Sequence, residues 1–508
     1  MSSSGAAVEV EFSNNSTFTT NFFNSTINYA DLVALIDPDA HESLTFQDLQ
    51  DRTINFIQNL QENGVLKGDI IGTFCGNSTD YLIFCLAANQ IGAIICPLNP
   101  AYKIGEFEHY FLQAKINWIL TENDYIKKIK TSKTLVKSVN GIIMLPNSTS
   151  KDVVKQRPPK AIVLSQKSLN AYLILLNTLK SDPNENFVTL SNKDTVYGGL
   201  LTTLLMLAQG AKVLINRKFH EDEFLENITK YEVSVLLLVS PILEFLCYAP
   251  KVDPTKLSTI QYIFVGAAKV RSEHEAGIIK RLPYLNKVLQ LYGSTEAGVL
   301  VFMMPQKVSS TKVGSTGLPL PGVEAKVSES PSLEYSANYS YGELLLKTTT
   351  QMSRYLNEDS EEDSESLFDE EGFMKTGDLV RVDSDGYYYI VGRLKELIKV
   401  RGWQVSPYEL EEALRNRFDA IMDIGIVGLP ADCDGEQPTA VVVLAPGTML
   451  SAGEIEQYVE DSFVSYKKLV GGVHFVDSLP TSPSGKLDRK ELLRWFLESH
   501  IYEDDETS

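Results

Sequence analysis

Gly392-Arg393-Leu394-Lys395-Glu396-Leu397-Ile398-Lys399-Val400-Arg401-Gly402-Trp403-Gln404-Val405-Ser406-Pro407-Tyr408-Glu409-Leu410 is the stretch that divides this chain. Residues 393–396 read as a link into a compact terminal domain. Beyond it, 407–418 reads as a helix, and 424–428 and 439–444 as alternating strands. The stretch sits in fixed order with three others: Tyr292-Gly293-Ser294-Thr295-Glu296, Thr376-Gly377-Asp378 and Pro483-Ser484-Gly485-Lys486. Any one of them alone is a weak signal, and the set in this order is a strong one.

Working outward, 508 residues are too many for one ordinary core, so two or more domains are expected. A hydrophobic content of 44% and a charged content of 22% are those of a globular chain. There is no run of 18 or more apolar residues, which argues against a membrane span. The start Met1-Ser2-Ser3-Ser4-Gly5 lacks a secretion signal, and the end Asp505-Glu506-Thr507-Ser508 is not a peroxisomal tripeptide, so a cytoplasmic location is expected. A net charge of −20 argues against nucleic acid as a partner. Much of that charge lies in 357–371, a run that reads as a solvated connector. Cys75, Cys85, Cys96, Cys247 and Cys433 show no paired metal spacing and read as reduced, mostly buried thiols. The histidines form no H-x-x-x-H pair, which argues against a zinc site built by the protein.

Residues 44–64 read as a helix capped by Thr45, with Phe46, Leu49, Ile54, Ile57 and Leu60 on its apolar face. A turn leads to a strand at 70–74, a helix at 81–91 and a strand at 93–96. The alternation continues through strands at 211–215, 234–239, 261–265 and 287–291. Several of these are apolar throughout, the pattern of parallel strands buried on both faces, so the fold class is α/β. From Gly314 the texture changes to short strands at 325–327, 342–347, 379–382 and 387–390, which suggests a smaller, more antiparallel part.

Together the motifs resemble the adenylate-forming superfamily of acyl- and aryl-CoA synthetases, 4-coumarate–CoA ligases and beetle luciferases, over about residues 44–493. The resemblance implies a large N-terminal domain of parallel α/β subdomains plus a β-barrel-like part over 1–392, a hinge over 393–396 at Lys395, and a small mobile α+β domain over 397–508. It implies an ATP-dependent acid–thiol ligase that joins a hydrophobic carboxylate, fatty or aryl, to AMP and passes the acyl group to coenzyme A. The substrates and cofactors implied are ATP or AMP, magnesium, coenzyme A and the carboxylic acid.

Residue by residue, Thr295 would reach the α-phosphate and Glu296 would serve as a hard oxygen ligand for magnesium. Tyr292, beside Gly293, could stack on adenine, against the nucleoside loop Gly266-Ala267-Ala268-Lys269. Asp378 would accept from the ribose hydroxyls, with Arg393 beside it. Lys486 would bridge carboxylate and α-phosphate as a mobile point charge. Lys399 would serve the thiol half-reaction after the small domain turns about Lys395, and Gly402 would leave room for a pantetheine arm. Val265, Val299, Leu300 and Val301 would line an apolar pocket or would be plain core.

One part departs from the family pattern. The family carries a phosphate loop close to S-G-T-T-G-x-P-K-G, and here only its downstream end, Pro159-Lys160-Ala161, remains. Upstream stands Asp152-Val153-Val154-Lys155-Gln156-Arg157-Pro158, without the glycines or hydroxyls that would wrap the β- and γ-phosphates. Lys269 stands where proline is usual, and 194–198 lacks the family's aromatic–His pair. Beside the ligase reading stand a pseudoenzyme that binds nucleotide or an acyl ligand, and a sequence that lacks an exon.

Overall fold

In a computed structural model the chain is described over residues 3–4, 16–98, 104–132, 139–145, 162–177, 188–192, 196–216, 219–266, 270, 272–305, 312, 314–329, 339–355, 367–401, 403–431, 435–481 and 487–501. Two compact units divide it: Met1–Ala325 with Leu346–Met374, and Lys326–Leu345 with Lys375–Ser508. By compactness, the strand Tyr388–Arg393 groups with the residues after the link. The local reason is a tether across 393–396: Ser406 Oγ donates to Val391 O at 3.0 Å.

Among the described residues, two large sheets and one two-stranded ladder make up most strands of the first unit. In the larger, the strand order among the described residues is Leu318–Pro319, Gly298–Met303, Lys287–Ser294, Tyr262–Gly266, Val235–Val239, Val188–Asn192, Lys212–Asn216, Val33–Asp37 and Glu42–Thr45. From Lys287–Ser294 across to Val33–Asp37 every neighbouring pair is parallel, and the outer strands are antiparallel. The smaller sheet, Ile94–Pro97, Ile70–Phe74, Trp118–Thr121 and Gly141–Met144, is parallel throughout. Apolar strands such as Val235-Leu236-Leu237-Leu238-Val239 pack on Leu243, Leu246, Ile263 and Val288 in one core cluster. Their lack of alternation follows from burial on both faces.

The first long helix spans Phe46–Glu62. Thr45 Oγ1 accepts from Asp48 N at 3.0 Å, and Asp48 Oδ2 accepts from Thr45 N at 2.9 Å, a closed capping box. Phe46, Leu49 and Leu60 are buried as expected, but Ile54 is exposed. Five residues at about 100° each turn Ile54 well away from Leu49, so it faces solvent. Among the described residues no helix is long and apolar enough to cross a membrane.

The second unit holds the antiparallel pair Met374–Asp383 and Tyr388–Arg393, and a sheet ordered Trp403–Val405, Ile398–Val400, Gly435–Leu444 and Ile421–Ala431. Val473–Phe475 adds to Gly435–Leu444 in parallel. Helix Pro407–Arg417 packs Leu410 and Leu414 into a core with Ile424, Ile426, Val442 and Ile455.

That helix also carries a carboxylate inward. Glu411 is 3% exposed; its Oε1 accepts from Ile426 N at 2.7 Å and its Oε2 from Arg489 Nη2 at 2.9 Å. Burial raises the Glu411 pKa above its ordinary value, and Arg489 and Arg415 pull against that rise. Arg489 also lies over the Tyr408 ring at 4.4 Å from its centroid. Glu411→Ala would leave the guanidinium and the Ile426 N–H without this acceptor. Urea denaturation should show the second unit losing about 3–5 kcal/mol.

Candidate active site

In the first unit, the sequence motifs fall at the carboxyl ends of neighbouring parallel strands. Gly266 ends Tyr262–Gly266, and Tyr292, Gly293 and Ser294 end Lys287–Ser294, in the register Val265↔Gln290. Ligands of open α/β sheets bind outside these ends, because there the strands stop pairing and release their backbone into loops. Tyr292 is half-buried, with its ring edge-on to Phe302 at 5.6 Å. Val265 and Val301 are fully buried, so they are core rather than pocket wall. Leu300 is half-buried, and the side chain of Val299 lies outside the description.

Thr295 and Glu296 form the tight turn into Gly298–Met303, after a register shift between Tyr292 and Ser294. Ser294 Oγ accepts from Ala297 N at 3.1 Å. Gly298 has φ +121°, and a Cβ there would stand 2.5 Å from Thr350 Oγ1 and 2.8 Å from the Tyr172 hydroxyl. Only glycine fits this combination of backbone and space.

One short segment fixes the turn from outside. Met352 N donates to Glu296 O at 2.7 Å, and Thr350 Oγ1 donates to Ala297 O at 3.1 Å. The same segment holds the chain just after Lys160. Ser353 N donates to Val163 O at 2.8 Å, Arg354–Tyr355 pairs with Ile162–Val163, and Ser168 Oγ donates to Gln351 O at 3.0 Å. Residues 350–355 therefore anchor both the Thr295-Glu296 turn and the exit of the phosphate-loop motif. Lys160, the stretch 152–158, Ala267 and Lys269 lie outside the described residues.

In the second unit, Asp378 and Arg393 are direct register partners on antiparallel strands. Arg393 Nε stands 2.9 Å from Asp378 Oδ1; the carboxylate side chain is 7% exposed and the guanidinium 47%. The Arg393 charge thus compensates a buried carboxylate while remaining open to solvent. Lys395, in the short 3-10 turn Leu394–Glu396, and Lys399 are both exposed. Lys399 sits in Ile398–Val400, whose backbone is held by Lys399 N donating to Glu436 Oε2 at 2.7 Å. Gly435, φ +81°, permits the neighbouring strand to approach, since a Cβ there would lie 2.6 Å from Lys399 O.

Lys486 and Gly402 lie outside the described residues. The ends of the Lys486 loop are described: Thr481 and Leu487 form an antiparallel bridge, and Asp488 N donates to Pro480 O at 2.9 Å. The loop is therefore closed at its base by Leu487 and Asp488, just before the largely buried Arg489.

Among the described residues no cluster of three or more His, Cys, Asp or Glu is placed to hold a metal ion. The turn carboxylate Glu296 would serve magnesium in another way. It can supply one hard oxygen to an ion that arrives with its water and phosphate ligands.

Sequence reasoning missed Thr350, Met352, Ser168 and the Glu411–Arg489 pair. They act through contacts across long sequence separations, and no local spacing signals them.

The sequence pattern of the AMP-binding enzyme family matches residues 22–157 and 158–356, and that of the AMP-binding enzyme C-terminal domain matches 409–486. The first match comes in two pieces that meet between Arg157 and Pro158. A probable 4-coumarate–CoA ligase 1 of Dictyostelium discoideum is 31% identical over 85% of this chain and 87% of its own length. The 4-coumarate–CoA ligase 3 of Arabidopsis thaliana is 31% identical over 85% of this chain and 83% of its own length. The crystal structure of ATP-bound MatB from Rhodopseudomonas palustris shares the fold with a TM-score of 0.82, at 21% identity over 94% of this chain and 98% of that one.

Gly298→Ala tests the turn. Strained φ and the collision with Thr350 together should cost about 2–4 kcal/mol. Thermal unfolding measures that loss, and Thr350→Ala in the same chain should recover part of it by removing the clash.

Proposed function

Because the chain belongs to the AMP-binding enzymes, we propose that it is an ATP-dependent ligase that activates a hydrophobic carboxylic acid, fatty or aryl, and transfers it to coenzyme A. A carboxylate oxygen attacks the α-phosphorus of ATP, the bond to the bridging oxygen breaks and pyrophosphate leaves. The coenzyme A thiolate then attacks the acyl carbonyl, the carbon–oxygen bond to phosphate breaks and AMP leaves. The first step makes a good leaving group of an oxygen that is otherwise a poor one.

The observation that carries this reading is the Asp378–Arg393 pair, a buried carboxylate held at 2.9 Å by a half-exposed guanidinium. A carboxylate so fixed can accept from two vicinal hydroxyls, such as those of a ribose. Thr295 offers a hydroxyl and the turn's backbone to the α-phosphate. Tyr292 offers a ring face to adenine near the strand ends Gly266 and Gly293, and Ala267 would belong to the same nucleoside loop. Lys160 offers a charge to the phosphates. Magnesium held by Glu296 would neutralise charge on the departing pyrophosphate. Lys486 neutralises charge between the carboxylate and the α-phosphate as they approach, which lowers the barrier more than it aids binding. Lys399 serves the thiol step, Gly402 leaves space for the pantetheine arm, and Lys395 is the pivot between them. A cytosolic location goes with this reading.

A second reading has its own support. The stretch Asp152–Pro158 lacks phosphate-loop glycines and hydroxyls, and the family pattern breaks between Arg157 and Pro158. Loss of those donors favours a pseudoenzyme that binds nucleotide or an acyl ligand without turnover.

ATP–pyrophosphate exchange with magnesium, against medium-chain, long-chain and aryl acids, separates the two. For the ligase, exchange appears with at least one acid class and falls about a hundred- to thousandfold in Lys486→Ala. Lys399→Ala keeps exchange and loses thioester formation by a comparable factor. A folded chain that exchanges with no acid overturns the ligase reading.

A further inference from the structure

We propose that Glu343 is a positioning residue for the ribose carboxylate Asp378, an inference that rests on the reading of Asp378 given above. Glu343 lies in the strand Tyr339–Thr348 and is far from the recognised motifs in sequence. Its Oε1 accepts from Gly377 N at 3.0 Å. Gly377 has φ +69°, a left-handed residue inserted one position before Asp378. Its N–H is satisfied by the Glu343 side chain, an acceptor supplied from another strand. A carboxylate is the strongest such acceptor, since its bond to an N–H is charge-assisted.

The rest of the turn is held from the same strand. Thr376 Oγ1 donates to Leu344 O at 2.7 Å and accepts from Asp378 N at 3.1 Å. Residues 376, 377 and 378 are thus fixed one after another, two of them by the adjacent positions 343 and 344. The strand is pressed close at this point: a Cβ on Gly342 would lie 2.0 Å from Ser328 O, so its path has little freedom. On the other side, Arg393 pins the Asp378 side chain at 2.9 Å. Arg393 sets where the carboxylate oxygens lie, and Glu343 sets where the backbone that carries them lies.

This division of labour has a specific consequence. A structural residue, once lost, weakens every ligand or none. A residue that places Asp378 weakens only the contact that Asp378 makes, which is with the sugar hydroxyls. Comparing AMP with 2′,3′-dideoxy-AMP isolates that contact, because the analogue keeps base and phosphate.

Titration calorimetry of the full chain should show AMP binding at least about tenfold more tightly than dideoxy-AMP, and Asp378→Asn should erase that preference. Glu343→Ala should lose about tenfold in AMP affinity and leave dideoxy-AMP affinity unchanged, while Glu343→Gln, which keeps an acceptor oxygen, should restore most of it. Should Glu343→Ala fail to fold, Glu343→Met, of similar length and without an oxygen acceptor, makes the same comparison. Wild-type and Asp378→Asn behaving as stated, with Glu343→Ala and Glu343→Met still preferring AMP fully, overturns the role of Glu343 alone. Equal weakening of both nucleotides also overturns it. A wild-type chain that binds the two nucleotides equally removes the Asp378 reading, and this inference with it.

Discussion

A strand buried on both faces has no surface for chemistry along its length. That constraint shapes the first unit. Its parallel strands are apolar because helices cover both sides, so polar function can sit only where strands end. Gly266 and the Tyr292–Glu296 segment lie at such ends, on neighbouring strands in register. The register matters more than either motif, since a slip by one residue would turn Tyr292 to the opposite face. The position of these residues is thus a by-product of how the core is packed.

Ends of strands are also where backbone is least restrained, and the first unit answers with a second layer. Residues 350–355 use backbone and the Thr350 hydroxyl to tie down both the Thr295-Glu296 turn and the chain after Lys160, where Ser168 donates to Gln351 O. The second unit solves a related problem with charge. Glu411 and Arg489 are buried together, and the arginine comes three residues after Lys486. A buried pair of this kind adds little net stability over an apolar pair, yet it penalises any arrangement that separates its members. Its value here is that the base of a polar loop is held in one place.

The parallel strands, the helices Phe46–Glu62 and Pro407–Arg417, and the hairpin arms Ile421–Ala431 and Gly435–Leu444 were legible from apolar pattern and caps, with ends displaced by a few residues. Ile54 was assigned to the buried face and is exposed, because hydrophobicity alone does not say where a helical stripe ends. Asp378 and Arg393 were paired in the reading of the sequence, and their strands set them opposite each other. Val265 and Val301 read equally as pocket or core, and burial makes them core. Thr350, Ser168 and Glu343 carried no signal, since a hydrogen bond to backbone leaves no periodic mark.

The sequence by itself determined the family, the alternation of strand and helix, and which motif side chains carry a hydroxyl, a carboxylate or a cationic group. Those follow from residue type and short-range order, which a linear chain carries in full. Tertiary structure alone decided which distant backbones hold those side chains still. The Thr350, Met352 and Glu343 contacts depend on strand register and close approach, as at Gly298 and Gly342, and such distances exist only after the chain has packed.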